Sequence, residues 1–200
     1  MSRDTYQIWL FRHGATEWSE SGRHTGRTDL PLTDWGREQA AIAGCRVKGR
    51  SFALVLSSPL ARALESCWLA GYGDRVRLAD ELMEWDYGDY EGRRTADIRE
   101  ERSGWSIWRE GVPNGETLAE VGARADEAIR LAQSVVGDVA LFSHGHLLRV
   151  LGARWLGLPP AAGRHFALDT GAISVLGFQR GKQMIERWND NGPLASAKAP

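Results

Sequence analysis

The sequence predicts an α/β fold in which helices cover both faces of a mostly parallel sheet. Short apolar runs of the kind found in buried strands alternate along the chain with longer segments of helical spacing. Three of these runs end at residues suited to catalysis: His13, the pair Ser57 and Ser58, and His144. Because ligands of such sheets bind beyond the carboxyl ends of the strands, we expect these residues at one site.

The first half of the chain begins with two strand–helix units. The apolar run at 7–11 is the first strand, and Thr33 is an N-cap for the helix after it, since Asp34 lies in the first turn. "FALVLSS" is a buried strand at 52–58, and Pro59 suits the start of the helix that follows. The remaining elements expected in this half are helices at 37–47 and 60–71, a short strand at 75–82 and an ordered loop at 83–94.

The second half repeats the opening pattern before it closes. Residues 95–108 have helical composition with a break at Gly104. "DVALFSHGH" is again an apolar strand that runs into a histidine and a glycine, and a turn at Arg180 and Gly181 joins the last two strands. The other elements expected in this half are helices at 118–136 and 147–157 and strands at 170–179 and 182–189.

Composition limits the classes of protein and of partner. With 200 residues and 42% apolar content we expect a single domain at 1–190 and a disordered tail at 191–200. The balance of 25 basic and 26 acidic residues argues against bulk attraction to nucleic acid or to a membrane surface. No apolar run approaches the roughly 20 residues that span a bilayer. Cys45 and Cys67 are expected to be buried free thiols, which favours a cytoplasmic location. The nine tryptophans leave room for a homodimer interface.

The residues around His13 point to phosphate chemistry. A histidine after a strand can be a nucleophile, a metal ligand or a structural residue. Arg12 can pair with anionic oxygens in a rigid fork, and Gly14 lets backbone amides approach a ligand. Arg62 lies in the first turn of the helix after the second strand, where the helix N-terminus also favours anions. Since two arginines would repel a cation, we expect no metal and no cofactor beside His13 and His144.

A phosphate site also needs a group that protonates the leaving oxygen. Glu84 is a candidate because Met83, Trp85 and Tyr87 surround it, and apolar neighbours favour the protonated form of a carboxyl group. The residues alone do not choose between Glu84 and its acidic neighbours Glu81, Asp86, Asp89 and Glu91.

Six blocks together resemble one family. "LFRHGATEW", "GRTDLPLTDWGREQA", "SSPLARA", "LMEWDYGDYEG", "PNGET" and "SHGH" occur in the order found in the histidine phosphatase superfamily, in its phosphoglycerate mutase-like branch. The likeness covers about residues 7–178 and implies a three-layer α/β/α sandwich with a mostly parallel central sheet. It also implies a phosphohistidine mechanism that needs no metal.

The resemblance also implies a role for individual residues. His13 matches the nucleophile, Glu84 the proton donor, and Arg12, Arg62 and His144 the remainder of the phosphate pocket. Other positions match the substrate-contacting loop or lie near the bound phosphate: Ser19, Thr25, Gly26, Tyr87 and Gly145, with Gly14 in the motif of the nucleophile. His24 and His146 are neighbours of these positions and are expected to support them.

The family contains both phosphatases and mutases, and this chain favours hydrolysis. Only about twenty residues, 93–112, separate the "YGDYEG" and "PNGET" blocks, whereas the similar mutases carry an insertion there. Ser19 replaces the asparagine of the mutases. We therefore expect a short member similar to acid phosphatases and sugar bisphosphatases that acts on a small phosphorylated metabolite. Five arginines could line the outer pocket and select a second phosphate or a carboxylate: Arg23, Arg27, Arg93, Arg94 and Arg109. The alternatives are a bisphosphoglycerate-dependent phosphoglycerate mutase and a non-catalytic sensor of phosphorylated metabolites.

Overall fold

One six-stranded sheet forms the centre of the protein. The computed structural model describes residues 6–192. The strands are β1 (Ile8–Arg12), β2 (Leu54–Ser57), β3 (Val76–Leu78), β4 (Val139–Ser143), β5 (Ile173–Gln179) and β6 (Lys182–Asp190). Their order across the sheet is β3-β2-β4-β1-β5-β6. The first four in that order are parallel, and β5 is antiparallel to both of its neighbours.

Helices cover both faces of this sheet. They are α1 (Glu17–Glu20), α2 (Asp34–Arg46), α3 (Ala61–Leu69), α4 (Thr95–Glu101), α5 (Ile107–Glu110), α6 (Leu118–Ala132) and α7 (Gly145–Trp155). Alternate residues of β1 face opposite layers, as the period of a strand requires. Ile8 and Leu10 pack into the core that contains α6 and α7, whereas Trp9 and Phe11 pack into the core that contains α2 and α3. The expected three-layer α/β/α sandwich with a mostly parallel sheet is confirmed.

Several ends of helices and strands lie where the local sequence predicted them. The Thr33 side chain accepts a hydrogen bond from Gly36 N at 3.1 Å, so Thr33 is the N-cap of α2. The turn between β5 and β6 has positive φ at Arg180 (53°) and Gly181 (75°), the backbone that a tight hairpin with the right-handed twist of its strands requires. The break expected at Gly104 separates α4 from α5.

Other boundaries differ from expectation. The third strand is only β3, because its pairing with β2 ends at Leu78 and residues 80–82 form a 3-10 turn. The helix α6 ends at Ala132, four residues before the expected end. The short helix α1 and a 3-10 helix at Pro160–His165 were not anticipated. Most of the tail for which we expected disorder, residues 193–200, lies outside the described residues.

The sequence led us to expect two buried free cysteines and no membrane-spanning segment. Both cysteines are free. Burial raises the pKa of Cys67 to about 12, but Cys45 is exposed, so the expectation of two buried thiols is wrong for Cys45. Among residues 6–192, no helix has the length and apolar content needed to cross a bilayer.

Candidate active site

A cavity of about 240 Å³ opens where β1 and β4 end. It is lined by Arg12, His13, Ser19, Gly22, Arg23, His24, Thr25, Glu84, Tyr87, Gly145, His146, Arg149 and Leu168. Seven of the predicted site residues therefore meet at one cavity: Arg12, His13, Ser19, Thr25, Glu84, Tyr87 and Gly145. The other predicted residues, Gly14, Gly26, Arg62 and His144, do not belong to this lining and support it from behind.

The backbone and the imidazole of His13 are both fixed. Its N–H donates to the carbonyl of Ser143 at 3.0 Å, and its carbonyl accepts from Gly171 N at 3.0 Å. In the side chain, Nδ1 lies 2.6 Å from the carbonyl oxygen of Gly14. Because a carbonyl can only accept, Nδ1 carries the proton, and the free lone pair of the neutral ring is on Nε2. Burial and the charges of Arg62 and Arg12 hold the pKa of His13 well below its usual range, so the ring stays neutral.

Arg12 brings a positive charge to the cavity, and one of its N–H groups has no hydrogen-bond partner within residues 6–192. Its Nη1 donates to the carbonyl of Leu168, while Nε is buried and has no hydrogen-bond partner among the described residues. Burial lowers the pKa of Arg12, and the nearby Glu84, Tyr87 and Asp169 oppose that effect. Since a guanidinium group remains charged in proteins, this free N–H is suited to donate to an anionic ligand.

Gly145 and Gly14 stand where neighbouring groups come too close to leave room for a side chain. A Cβ on Gly145 would lie 3.3 Å from the guanidinium carbon of Arg12, so the absence of a side chain leaves room for that group beside the start of α7. A Cβ on Gly14 would lie 2.0 Å from the carbonyl oxygen of Gly36 in α2. The Gly14 N–H donates to Ser66 Oγ at 3.2 Å. Gly14 therefore lets the segment that carries His13 pack on α2, and its amide is not offered to the cavity as we had expected.

Arg62 and His144 form a buried pair under the cavity. Arg62 Nε donates to His144 Nδ1 at 3.2 Å, so His144 carries its proton on Nε2, which lies 2.8 Å from Ser58 Oγ. The rings of His144 and His13 lie 5.1 Å apart between centroids. Burial and the charge of Arg62 hold the pKa of His144 well below its usual range. The three strand ends that the sequence pointed to, at His13, Ser58 and His144, therefore do meet.

The guanidinium of Arg62 also holds the loop that borders the cavity. Its Nη groups donate to the carbonyls of Thr25 (3.2 Å), Gly26 (2.8 Å) and Thr28 (3.0 Å). From the other side, Glu91 Oε1 accepts from Gly26 N at 2.7 Å and Thr28 N at 3.1 Å. Arg62 is fully buried, so in this arrangement it acts on the cavity through its charge and through this loop.

Ser19 and Gly26 position this part of the lining. Ser19 forms reciprocal hydrogen bonds with Thr16 at the start of α1: Thr16 N donates to Ser19 Oγ at 2.8 Å, and Ser19 N donates to Thr16 Oγ1 at 3.2 Å. A Cβ on Gly26 would lie 2.5 Å from the carbonyl oxygen of Trp85, which explains a glycine there. Of the residues that Arg62 holds in this loop, Thr25 lines the cavity itself.

Glu84 lies at the N-terminus of α7. Its Oε1 accepts from Trp85 N (2.9 Å) and Leu147 N (3.0 Å), and its Oε2 accepts from His146 N (3.0 Å). Glu84 is 4% exposed and lines the cavity. Amides at a helix N-terminus favour negative charge, so the structure holds Glu84 by polar contacts where the sequence suggested an apolar pocket.

The acidic neighbours of Glu84 are committed elsewhere. Asp86 accepts from Gly88 N at 2.9 Å, and Glu91 holds the loop described above. Asp89 accepts from Asn114 Nδ2 at 2.9 Å. None of the acidic residues that competed with Glu84 in the sequence lines the cavity.

An aromatic wall closes one side of the cavity. The Tyr87 hydroxyl lies 2.7 Å from His146 Nδ1, and the rings of Tyr87 and His24 lie 4.8 Å apart. Burial lowers the pKa of His24 to about 4 and holds the pKa of His146 well below its usual range. Burial also keeps the pKa of Tyr87 well above its usual range. These groups are neutral at ordinary pH and add polar contacts without charge.

Arg149 was missed by sequence reasoning, and Arg23 was only one of several outer arginines. Arg149 stands four residues after Gly145 in α7, on the same face of the helix, and this spacing was a signal that could have found it. Of the five outer arginines in the sequence that could have bordered the pocket, only Arg23 does so. The others, Arg27, Arg93, Arg94 and Arg109, bond to nearby carboxylates or carbonyls.

The described residues offer no obvious metal site. Within 6–192, no three His, Cys, Asp or Glu side chains gather so as to hold a metal ion. The absence of a metal in the mechanism stays a prediction.

The α/β fold, with a neutral histidine, arginines and a carboxyl group around one cavity, is that of a phosphoryl-transfer enzyme of the histidine phosphatase class. Residues 8–191 match the model of the histidine phosphatase superfamily (branch 1), and the chain belongs to this family. The expected enzyme class, a histidine phosphatase that hydrolyses phosphoric monoesters, is confirmed.

Three comparisons place the chain within the family. An acid phosphatase of Mycobacterium tuberculosis is 42% identical over 184 residues, which cover 90% of each chain. A sedoheptulose 1,7-bisphosphatase of Saccharomyces cerevisiae is 38% identical over 74% of this chain and 67% of the relative. The solved structure of a protein encoded by an open reading frame of M. tuberculosis is also similar, with a TM-score of 0.88 and 41% identity. The match covers 92% of this chain and 97% of that one. The resemblance to short acid-phosphatase-like members is confirmed.

Proposed function

We propose that this protein is an acid phosphatase that hydrolyses small phosphorylated metabolites through a phosphohistidine at His13. One observation carries the proposal: His13, whose neutral imidazole has its free lone pair on Nε2, and Arg12, whose buried Nε–H has no partner among the described residues, line the same cavity. This combines a nucleophile with a donor for the anion that the nucleophile attacks.

In the first step His13 Nε2 forms a bond to phosphorus while the bond from phosphorus to the ester oxygen breaks. The positive charges of Arg12 and Arg62 stabilise the transferring phosphoryl group. The departing oxygen takes a proton from Glu84 and leaves as an alcohol. In the second step water attacks phosphorus, Glu84 takes a proton from that water, and cleavage of the P–N bond returns neutral His13 and inorganic phosphate.

The acidic range follows from the charges of enzyme and substrate. The lowered pKa of His13 keeps its ring neutral in acid. A phosphomonoester has a second pKa of about 6, so below that pH it brings a proton of its own. Glu84, held by amides at the N-terminus of α7, is the group through which that proton passes to the leaving oxygen. Both conditions favour turnover on the acidic side of neutrality.

The substrate class follows the size of the cavity and the names of the relatives. A cavity of about 240 Å³ suits a small metabolite. The relatives named acid phosphatase and sedoheptulose 1,7-bisphosphatase support a phosphorylated metabolite, and a sugar phosphate is a natural member of that class.

Hydrolysis is favoured over mutase activity because the segment that carries an insertion in the mutases does not cover the cavity here. The segment 93–112, where the mutases have their insertion, forms α4 and α5, and its buried residues Ile98, Trp105 and Ile107 pack into the core. No residue of this segment lines the cavity. A phosphohistidine at His13 would therefore be open to attack by water.

Two assays test the proposal against its alternatives. The protein should release phosphate from p-nitrophenyl phosphate, whereas a non-catalytic sensor would release none. With 3-phosphoglycerate it should yield glycerate and inorganic phosphate whether or not 2,3-bisphosphoglycerate is added. Conversion to 2-phosphoglycerate that depends on the bisphosphate and outpaces phosphate release would identify a mutase and contradict the proposal.

A further inference from the structure

The segment that carries Glu84 lies in neither a helix nor a strand. Residues 83–87, the Glu84 loop, connect two 3-10 turns at Asp80–Leu82 and Gly88–Tyr90. The amides of α7 hold the carboxyl group at the end of the side chain, but they do not hold the backbone from which it extends. A displacement of about 1 Å can slow an enzyme by on the order of 10²-fold, so the groups that fix this backbone bear on the reaction.

Arg124 of α6 binds the backbone of the Glu84 loop and of the turn before it. Its Nη1 donates to the carbonyls of Met83 at 2.7 Å and Glu81 at 3.1 Å. Its Nη2 donates to the carbonyl of Glu84 itself at 3.3 Å. A guanidinium group has five N–H donors in a fixed planar arrangement, so one side chain can bind three carbonyls at once and hold them in place relative to α6.

Glu116 holds both Arg124 and the other end of the loop. It is the glutamate of the "PNGET" block, a motif for which the proposed reaction has no role. Its Oε1 and Oε2 accept from Nε and Nη2 of Arg124 at 2.6 and 2.7 Å, a bidentate pair that fixes the plane of the guanidinium. Oε2 also accepts from Asp86 N at 2.9 Å, and the carbonyl of Glu116 accepts from Trp85 Nε1 at 2.8 Å. Residues on both sides of Glu84 are therefore tied to α6 and its start.

The two attachments of Glu84 come from neighbouring helices. Its carboxyl group accepts from N–H groups at the start of α7, whereas Arg124 binds its backbone from α6, and these two helices pack against each other. Arg124 and Glu116 do not belong to the lining of the cavity, so neither is placed to contact a substrate bound there. An effect of this pair on the reaction must therefore pass through Glu84.

We propose that Arg124 and Glu116 are positioning residues that hold the Glu84 carboxyl group at the leaving oxygen of the substrate. This inference rests on the proposed phosphatase activity, in which Glu84 donates the proton. Loss of the pair should slow the transfer of the phosphoryl group from substrates whose leaving group needs that proton. Attack by His13 on a substrate with a good leaving group should continue, because the pair does not bind His13.

The test is the ratio of kcat/KM for glycerol 3-phosphate to kcat/KM for p-nitrophenyl phosphate. Arg124→Ala should lower this ratio by about 10- to 100-fold, since a displaced carboxyl group transfers its proton poorly. Glu116→Gln should lower it by a smaller factor, because one oxygen remains to accept from Arg124. Arg124→Lys should recover part of the ratio, since lysine keeps the charge and a donor but cannot form the bidentate pair.

Arg154→Ala is the matched control. Arg154 also joins two elements: its Nε and Nη2 donate to Asp126 of α6 at 2.8 and 3.0 Å, and its Nη1 donates to the carbonyl of Leu158 at 3.1 Å. It does not line the cavity and should leave the ratio unchanged, whatever it costs in stability. Urea unfolding reports whether each variant folds. If Arg124→Ala does not fold, Arg124→Lys and Glu116→Gln decide, because each should still lower the ratio.

Two outcomes would overturn the inference while the proposed function stands. A folded variant of Arg124 or Glu116 with the wild-type ratio would show that the altered residue supports only the fold. An equal fall of the ratio in Arg154→Ala would show that the contacts with the Glu84 loop are not responsible. If Glu84→Gln leaves the ratio unchanged, the assignment of the proton donor is wrong and the inference falls with it. Failure of the phosphatase function itself is distinct, because wild-type protein would then release no phosphate from p-nitrophenyl phosphate.

Discussion

Glu84→Gln tests how the leaving oxygen obtains its proton. An amide cannot deliver a proton as a carboxyl group does, and general acid catalysis is worth about 10²–10⁴-fold. We expect kcat/KM for glycerol 3-phosphate, whose alkoxide needs a proton, to fall by that factor. p-Nitrophenyl phosphate should lose much less, because nitrophenolate leaves without help. The ratio of the two rates is the assay, since a smaller folded fraction affects both substrates equally.

The same substitution should cost stability, because all three hydrogen bonds of the Glu84 carboxylate are accepted ones. Its oxygens receive the N–H groups of Trp85, His146 and Leu147. The amide nitrogen of Gln must replace one oxygen and face a donor, which leaves at least one buried N–H unpaired at a cost of about 1–3 kcal/mol. Urea unfolding followed by tryptophan fluorescence measures this change.

Asp86→Asn is the control for both measurements. Asp86 is a neighbouring carboxylate that accepts from Gly88 N and lies outside the cavity, so its loss should not change the ratio of rates. Equal slowing of both substrates by Glu84→Gln would refute the assignment of the acid. A changed ratio in Asp86→Asn would move the role to Asp86.

Three further predictions follow from the same geometry. EDTA should leave the rate unchanged, because Arg12 and Arg62 supply the positive charge; loss of activity that one divalent ion restores would contradict this. The acidic limb of the kcat/KM profile should lie well below pH 6.5, the ordinary pKa of histidine, because the imidazole of His13 is active above its own, lowered pKa; a limb near 6.5 would show that His13 is not shifted. Gly14→Ala should destabilise the protein by about 1–3 kcal/mol in urea unfolding, since the new Cβ would lie 2.0 Å from Gly36 O; an unchanged midpoint would mean that the two segments can separate freely.

The fold could be predicted where local sequence carries the physical cause. The alternation of buried strands with helices, the Thr33 N-cap and the Arg180–Gly181 turn depend on neighbours in the chain, and each was placed correctly. The length of β3 could not be predicted, because it depends on how far β2 runs beside it. The exposed position of Cys45 likewise depends on which face of α2 meets the sheet.

In the candidate site, too, local sequence predicted some positions, and others depend on contacts between elements. The position of His13 and His144 after apolar strands could be predicted, because parallel strands present their carboxyl ends at one edge. Glu84 could not be chosen among its acidic neighbours from the residues alone, since its distinguishing contacts are amides 62 and 63 positions away in α7. Arg62 was found from its place after the second strand, but its position beneath the cavity and outside the lining depends on contacts between elements. Arg149 could have been found from its spacing to Gly145 in α7.

The most direct test of the central claim is a rapid quench of the enzyme during turnover of ³²P-labelled substrate. Wild-type protein should carry label that is lost in acid and kept in base, as a phosphohistidine requires, and the label should map to His13. His13→Ala should carry none and should have no turnover, whereas His165→Ala, a change at an exposed histidine outside the cavity, should behave as the wild type. Turnover by His13→Ala at even a tenth of the wild-type rate, or label on another residue, would contradict the account.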